Sequence, residues 1–190
     1  MTHLVFLLAA FMLGGVPFGL ILGLLGAGVD VRRQGSGNIG ATNVARVLGW
    51  RWGGLTLLLD VAKGVLPMLL AGWWGPAWMV PVVGLVVVLG HCYSPYLDFQ
   101  GGKGVATGAG VMLVISWKAT LLALTCWALA YALSKRSSVG ALTAIAAIQV
   151  GLWIFRPGFW AFGLLLGGLL LLRHRGNVQR LMAGTELSVR

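Results

Sequence analysis

Charge is scarce in this chain: 9% of its residues are Asp, Glu, Lys or Arg, against about a quarter in an ordinary soluble domain. Beside a hydrophobic content of 58% and a mean hydropathy of +0.91, that shortage excludes a water-soluble globular protein. The expected class is an all-α integral membrane protein, because repeated apolar stretches near 20 residues can cross lipid only as helices that satisfy their own backbone. Acids are scarcest, with 4 Asp+Glu against 14 Lys+Arg and a net charge of +10. In a soluble protein that balance would suggest nucleic acid. Here the bases lie in polar segments between apolar ones, the positive-inside pattern, and no nucleic-acid partner is expected. Some of that charge can also hold anionic headgroups or phosphorylated substrates. Cysteine is nearly missing: Cys92 and Cys126 lie in or beside apolar segments and read as small buried groups, with no disulfide or metal framework. The histidines His3, His91 and His174 have no carboxylate neighbours at ligand spacing, which argues against zinc. The first apolar stretch lacks a charged leader and a cleavage site, so it is expected to be retained.

What the chain has in quantity is glycine, 30 residues of it. The most telling group is Gly35-Ser36-Gly37-Asn38-Ile39-Gly40-Ala41-Thr42-Asn43, followed by Arg46. Glycines give access to φ > 0 and bring backbone N–H groups close to a ligand, and clustered N–H groups hold anions. Ser36, Asn38, Thr42 and Asn43 add neutral hydrogen-bonding groups, and Arg46 adds a planar cation suited to phosphate. A lone loop of this composition is more often a plain turn. Two further polar clusters, Gly101-Gly102-Lys103-Gly104 and the tail from Arg173 to Arg190, favour an anion cradle at a membrane surface.

The apolar runs cover about 3–26, 55–74, 78–91, 105–117, 119–133, 139–155 and 159–172. Seven spans in a single polytopic domain, 1–190, follow if the short run after Gly104 crosses. Motif loops then occupy about 27–54 and 98–104, with the tail at 173–190. Placing the first loop on the cytoplasmic side puts Arg32, Arg33, Arg46, Arg51, Lys103, Lys135, Arg136, Arg173, Arg175, Arg180 and Arg190 inside, 11 of the 14 bases. The N-terminus is then outside, the C-terminus cytoplasmic, and all three polar clusters share the cytoplasmic face. Asp60 and Lys63 fall within the second run, share a helix face at i and i+3, and are expected to pair as a structural ion pair near the site. Gly72-Trp73-Trp74-Gly75-Pro76 reads as an interfacial turn with tryptophans at headgroup level.

Three motif matches fail on context. Gly35-x-Gly37-x-x-Gly40 fits the dinucleotide pattern, with Asp60 twenty residues beyond Gly40, but no strand precedes it and the acid sits in a span. Gly102-Lys103 resembles the end of a nucleotide P-loop, yet Leu97 replaces its first glycine and Gly104 its magnesium-binding hydroxyl. The His-x4-Asp signature of common glycerolipid acyltransferases is missing, since Leu8, Tyr96 and Gln179 stand five residues beyond the three histidines.

Taken together, the first loop with Arg46, the segment Gly101-Gly102-Lys103-Gly104-Val105-Ala106-Thr107, and the tail Arg173-His174-Arg175-Gly176-Asn177 through Arg180 to Glu186 resemble the bacterial acyl-phosphate:glycerol-3-phosphate acyltransferases, the PlsY family, over essentially the whole chain. The resemblance implies a seven-helix enzyme of the bacterial cytoplasmic membrane. It would move a fatty acyl group from acyl phosphate to the 1-position of sn-glycerol 3-phosphate, giving lysophosphatidic acid and inorganic phosphate. It implies no cofactor and no metal, with acyl phosphate received in a handover from the enzyme that forms it. Carried over by position, Ser36 and Arg46 are catalytic, and Lys103 with Gly101, Gly102 and Gly104 contacts glycerol 3-phosphate. His174 and Asn177 line the site, and Glu186 supports its structure. Gly176 departs from the pattern, which has an acid there.

The residues suit that chemistry. Acyl phosphate carries its own leaving group, so no acyl-enzyme is required, and orienting two reactants can supply up to about 7–11 kcal/mol. Gly35, Gly37, Asn38, Gly40, Thr42 and Asn43 with Ser36 and Arg46 would hold one phosphate, and Lys103 with His174 and Asn177 the other. The base is either His174 or a substrate phosphate oxygen. Ser36 has no base beside it in sequence and is not expected to act as a covalent nucleophile. A small transporter would show internal repeats or paired broken helices. A purely structural membrane protein leaves Ser36, Arg46 and Lys103 without a purpose.

Overall fold

The computed structural model describes residues 2–188. Among the described residues the chain is helical and contains no strand. It divides after Val114 into two compact units, each with its own packing.

The first unit contains α1 (Thr2–Gly15), α2 (Phe18–Ala27), α3 (Ala41–Leu48), α4 (Trp50–Trp74), α5 (Met79–Cys92) and nearly all of α6 (Val105–Ile115). The first apolar run, expected as one span, is broken: α1 and α2 meet at an angle of 44°. Pro17 is the cause, since it lacks an N–H and its ring pushes Val16 out of helical geometry. The carbonyls released there find side-chain donors. Ser94 Oγ donates to the Gly15 carbonyl at 2.6 Å, and Lys63 Nζ to that of Val16 at 2.8 Å. α4 starts at Trp50, five residues before the expected apolar run, because its first turn is an exposed amphipathic one in which Arg51 stacks on Trp50. Gly49, at φ 94°, separates α3 from α4 and lets α3 fold back along it, with Gly53 against Ala41 and Ala45.

Glycine sets the helix crossings of this unit. A Cβ on Gly14 would overlap the Val87 carbonyl and one on Gly90 that of Phe11, so α1 and α5 approach backbone to backbone. Gly64 lies in the same way on the Thr107 carbonyl and Gly110 on that of Val61, which locks α4 to α6. Lipid gives apolar side chains no reason to leave it, and such close van der Waals contact is what holds spans together.

The second unit contains α7 (Trp117–Ser134), α8 (Ser137–Phe155), α9 (Trp160–Arg173) and α10 (Arg175–Met182). Lys135, left-handed at φ 56°, turns α7 back into α8. The amide of Gln149, in the middle of α8, donates to the Gly163 carbonyl of α9 at 2.9 Å. By length and composition, three helical stretches among the described residues can cross a bilayer: Trp50–Trp74, Met79–Leu97 and Ser137–Phe155. The number becomes five if the bent pairs α1–α2 and Pro157–Arg173 with α10 each count as one. α6, with 11 residues, is shorter than the expected run because Ser116 caps the start of α7. Trp73, Trp74 and Trp78 stand exposed around the Gly75-Pro76 turn, and Cys92 and Cys126 are free thiols.

Candidate active site

The first glycine loop is fixed from both sides. Before it, Asp30 caps a short turn by accepting from the Arg32 backbone N–H at 3.0 Å and from its guanidinium at 3.0 and 2.8 Å. Those bonds from Arg32, side chain first and backbone second, hold the Asp30 carboxyl down at about 2 and raise the Arg32 guanidinium in turn. Within the loop, Gly35 and Gly37 take left-handed φ values of 59° and 69° that glycine alone adopts cheaply. Beneath it, Val31, Ile39 and Val44 join Leu20 and Leu97 in a buried apolar cluster.

Asn43 organises the loop. Only 2% exposed, its amide donates to the carbonyls of Val31 (2.9 Å) and Gln34 (3.1 Å). Its oxygen accepts the Ser36 N–H (2.8 Å) and Arg46 Nη1 (3.2 Å). Its side chain is thus engaged in shaping the cradle. Asn38 is likewise engaged, its side-chain oxygen accepting the Gly40 N–H at 2.8 Å. The cradle is thereby narrower than composition suggests, because the N–H groups of Ser36 and Gly40 are already taken. The loop runs directly into the first turn of α3 through Gly40, which takes an extended conformation at its N-terminus. Ser36 is exposed and Arg46 half-buried, and the Arg46 Nε is buried without a hydrogen-bond partner among the described residues.

The second loop approaches the first through Leu97, a member of the same apolar cluster. Asp98 and Phe99, at φ 49° and 61°, then turn the chain through left-handed geometry that non-glycine residues rarely take. The N–H groups of Gly101 and Gly102 donate to the carbonyls of Cys92 (3.2 Å) and His91 (2.9 Å). Lys103 is half-buried, and Gly104 at φ 82° leads directly into α6. Arg32, Gly37 and Ile39 from the first loop and Leu97, Asp98, Gln100 and Gly101 from the second line one polar cavity of about 290 Å³.

Below the second loop lies a buried polar cluster. Asp60 and Lys63 form the expected ion pair at 2.7 Å, both 2% exposed. Sequence reading passed over His91, 31 residues from Asp60. Its Nδ1 lies 3.7 Å from the same Asp60 oxygen and 3.2 Å from the Thr107 hydroxyl. No local pattern announces that contact, and its one signal was a histidine at the very end of an apolar run.

In the second unit, His174 sits at the junction of α9 and α10, 2% exposed, with Nδ1 at 2.8 Å from the Leu170 carbonyl. A carbonyl only accepts, so Nδ1 carries the hydrogen and Nε2 is the basic nitrogen. Asn177 donates to Glu186 at 2.6 Å, and Arg180 pairs with the other carboxylate oxygen at 2.8 Å. Partial burial pushes the Glu186 carboxyl up, but the hydrogen bonds from Asn177 and Arg180, with the Ser138 hydroxyl close by, outweigh it and leave it below its ordinary range. The bond from Asn177 to Glu186 ties the tail back onto α10.

Comparison with known proteins gives a consistent result. The family described as glycerol-3-phosphate acyltransferase matches residues 4–184. A glycerol-3-phosphate acyltransferase of Sulfurimonas denitrificans is 45% identical, covering 99% of this chain and 97% of its own length. One from Pseudomonas aeruginosa is 44% identical, covering 96% and 98%. The crystal structure of PlsY, an integral membrane glycerol 3-phosphate acyltransferase in its glycerol 3-phosphate form, superposes with a TM-score of 0.92 at 35% identity, covering 99% of this chain and 96% of that one. Its lysophosphatidic acid form gives 0.91 at 34% identity, covering 99% and 95%.

Proposed function

This chain belongs to the glycerol-3-phosphate acyltransferase family and is an integral-membrane acyltransferase, and on that premise we propose that it transfers a fatty acyl group from acyl phosphate to the 1-hydroxyl of sn-glycerol 3-phosphate. The hydroxyl oxygen attacks the acyl carbonyl, the carbon–oxygen bond to phosphate breaks, and the hydroxyl proton leaves with the phosphate. Lysophosphatidic acid and inorganic phosphate result, without a metal or other cofactor. The single observation that carries the reading is that residues of both glycine loops, Gly37 and Gly101 among them, line one polar cavity with Arg32 in its wall.

In this reading Ser36 and Arg46 with the first glycine loop hold one phosphate, and Lys103 with Gly101, Gly102 and Gly104 binds glycerol 3-phosphate. The Arg46 guanidinium, anchored through Nη1 by Asn43, keeps further N–H groups for phosphate. Such a fixed donor, aimed at charge that develops in the transition state, contributes about 3 kcal/mol. Asp60, Lys63 and Glu186 support the geometry without touching substrate. The protein crosses the bacterial inner membrane seven times as one polytopic domain, with α6 and α7 completing the count. Its N-terminus lies outside and its loops and tail on the cytoplasmic side, where acyl phosphate is handed over.

Purified protein given palmitoyl phosphate and glycerol 3-phosphate is expected to release phosphate and form lysophosphatidic acid in equal amounts. Activity with acyl-CoA in place of the acyl phosphate would refute the donor.

A further inference from the structure

We propose that His91 is a positioning residue for the second glycine loop, acting through Gly102 and Thr107 to set where Lys103 presents its charge. The proposal rests on the reading of Lys103 as a contact for glycerol 3-phosphate.

His91 and Thr107 lie at the two stems of the loop, one at the end of α5 and the other in the first turn of α6. Their side chains meet at 3.2 Å, so the stems are joined by a bond that is buried at both ends, 3% exposed on His91 and 0% on Thr107. The loop between them then folds back onto the same histidine. The Gly102 N–H donates to the His91 carbonyl at 2.9 Å, and its Cα rests on the imidazole so closely that a Cβ would overlap Nε2. The ring is therefore a floor under the residue next to Lys103.

That floor is anchored in turn. Nδ1 of His91 lies 3.7 Å from Asp60, Asp60 pairs with Lys63 at 2.7 Å, and Lys63 donates to the Val16 carbonyl at 2.8 Å. α4, which carries Asp60 and Lys63, also carries α3 on its N-terminal turns, with Gly53 packed on Ala45 one residue from Arg46. One helix thus references both cationic groups of the site. A cluster needed only for stability would be served as well by apolar side chains, since buried ion pairs are seldom better than a well-packed apolar core. Ionisable groups inside a membrane protein are expensive and are characteristically functional.

The test compares His91→Ala, His91→Asn and Lys103→Ala with wild type, using purified protein, palmitoyl phosphate and glycerol 3-phosphate, with direct calorimetric titration of glycerol 3-phosphate alongside. His91→Ala is expected to raise the KM and Kd for glycerol 3-phosphate by on the order of ten- to a hundredfold through misplacement of the loop. The KM for acyl phosphate should stay within about twofold. His91→Asn, which keeps a polar group facing Thr107, should recover part of the loss. In the Lys103→Ala background, the same His91 change should cost less than about threefold, because its effect is transmitted through the lysine already removed. Equal rises in both KM values, a fall in kcat alone, or full additivity with Lys103→Ala would overturn the proposal. So would failure of both His91 variants to yield folded protein, which would mark the cluster as purely structural. A wild-type protein that neither binds glycerol 3-phosphate nor turns over would remove the function proposed above and this inference with it. A wild type that does both while His91→Ala is unaffected removes the inference alone.

Discussion

Arg46 donates through Nη1 to the side-chain oxygen of Asn43 at 3.2 Å, and that same oxygen accepts the Ser36 N–H at 2.8 Å. One buried amide therefore sets the position of the cation and the shape of the loop together. Its Nδ2 is held by two carbonyls on the other side, so the amide cannot rotate without losing all four bonds.

Asn43→Ala should consequently damage both stability and catalysis. Loss of a buried, fully bonded amide is expected to cost about 1–3 kcal/mol. It should also lower kcat/KM by on the order of a hundredfold, as the guanidinium and Ser36 lose their common reference. Thermal unfolding in detergent and phosphate release measure the two effects. Near-normal turnover in a destabilised variant would separate the amide from the site.

Arg46→Lys keeps the charge but replaces a planar fork with a point donor that cannot reach Asn43 and a phosphate at once. Turnover with palmitoyl phosphate is expected to fall by about a hundredfold or more, with little change in melting temperature. A variant retaining half of wild-type kcat would take Arg46 out of the reaction.

Glu186 gives the tail a pH dependence of definite sign. Its carboxyl titrates below the ordinary value of 4.5, so the stability it adds is complete above that value and is lost as pH falls through the lower, folded one. Glu186→Gln should melt earlier than wild type at neutral pH, and the difference should close in acid. A difference that is constant with pH would mean that the charge itself is idle.

Lys63→Met leaves a carboxylate without its ammonium and the Val16 carbonyl without its donor, and should cost about 3–5 kcal/mol. The double variant Asp60→Asn with Lys63→Met should recover part of that loss, because no unpaired charge stays behind. Equal stability of the single and double variants would show that the pair is not coupled.

The helical class, the glycine loops and the Asp60–Lys63 pair were all legible in the sequence, because each is written within a few neighbouring residues. Hydropathy located α4 but missed its first turn, where Trp50 and Arg51 are exposed and the mean value says nothing. Pro17 was visible, but whether a membrane helix bends at a proline depends on what satisfies the freed carbonyls. Those donors, Ser94 and Lys63, are 79 and 47 residues away. His91 was hidden for the same reason. Asn43 was read by composition as a ligand contact, and its four bonds within the loop were not legible there. Composition gives the hydrogen-bonding capacity of a loop, and only the fold shows which of it is spent internally.

The broken first span also bears on the order of assembly. When α1 and α2 are made, Lys63 and Ser94 still lie ahead in the chain, and the Gly15 and Val16 carbonyls at the bend lack those side-chain donors. The N-terminal segment is then expected to be seated only once α4 and the end of α5 arrive. A nascent chain stopped before Ser94 should leave a cysteine placed at Val16 open to a water-soluble thiol reagent, and the finished protein should shield it.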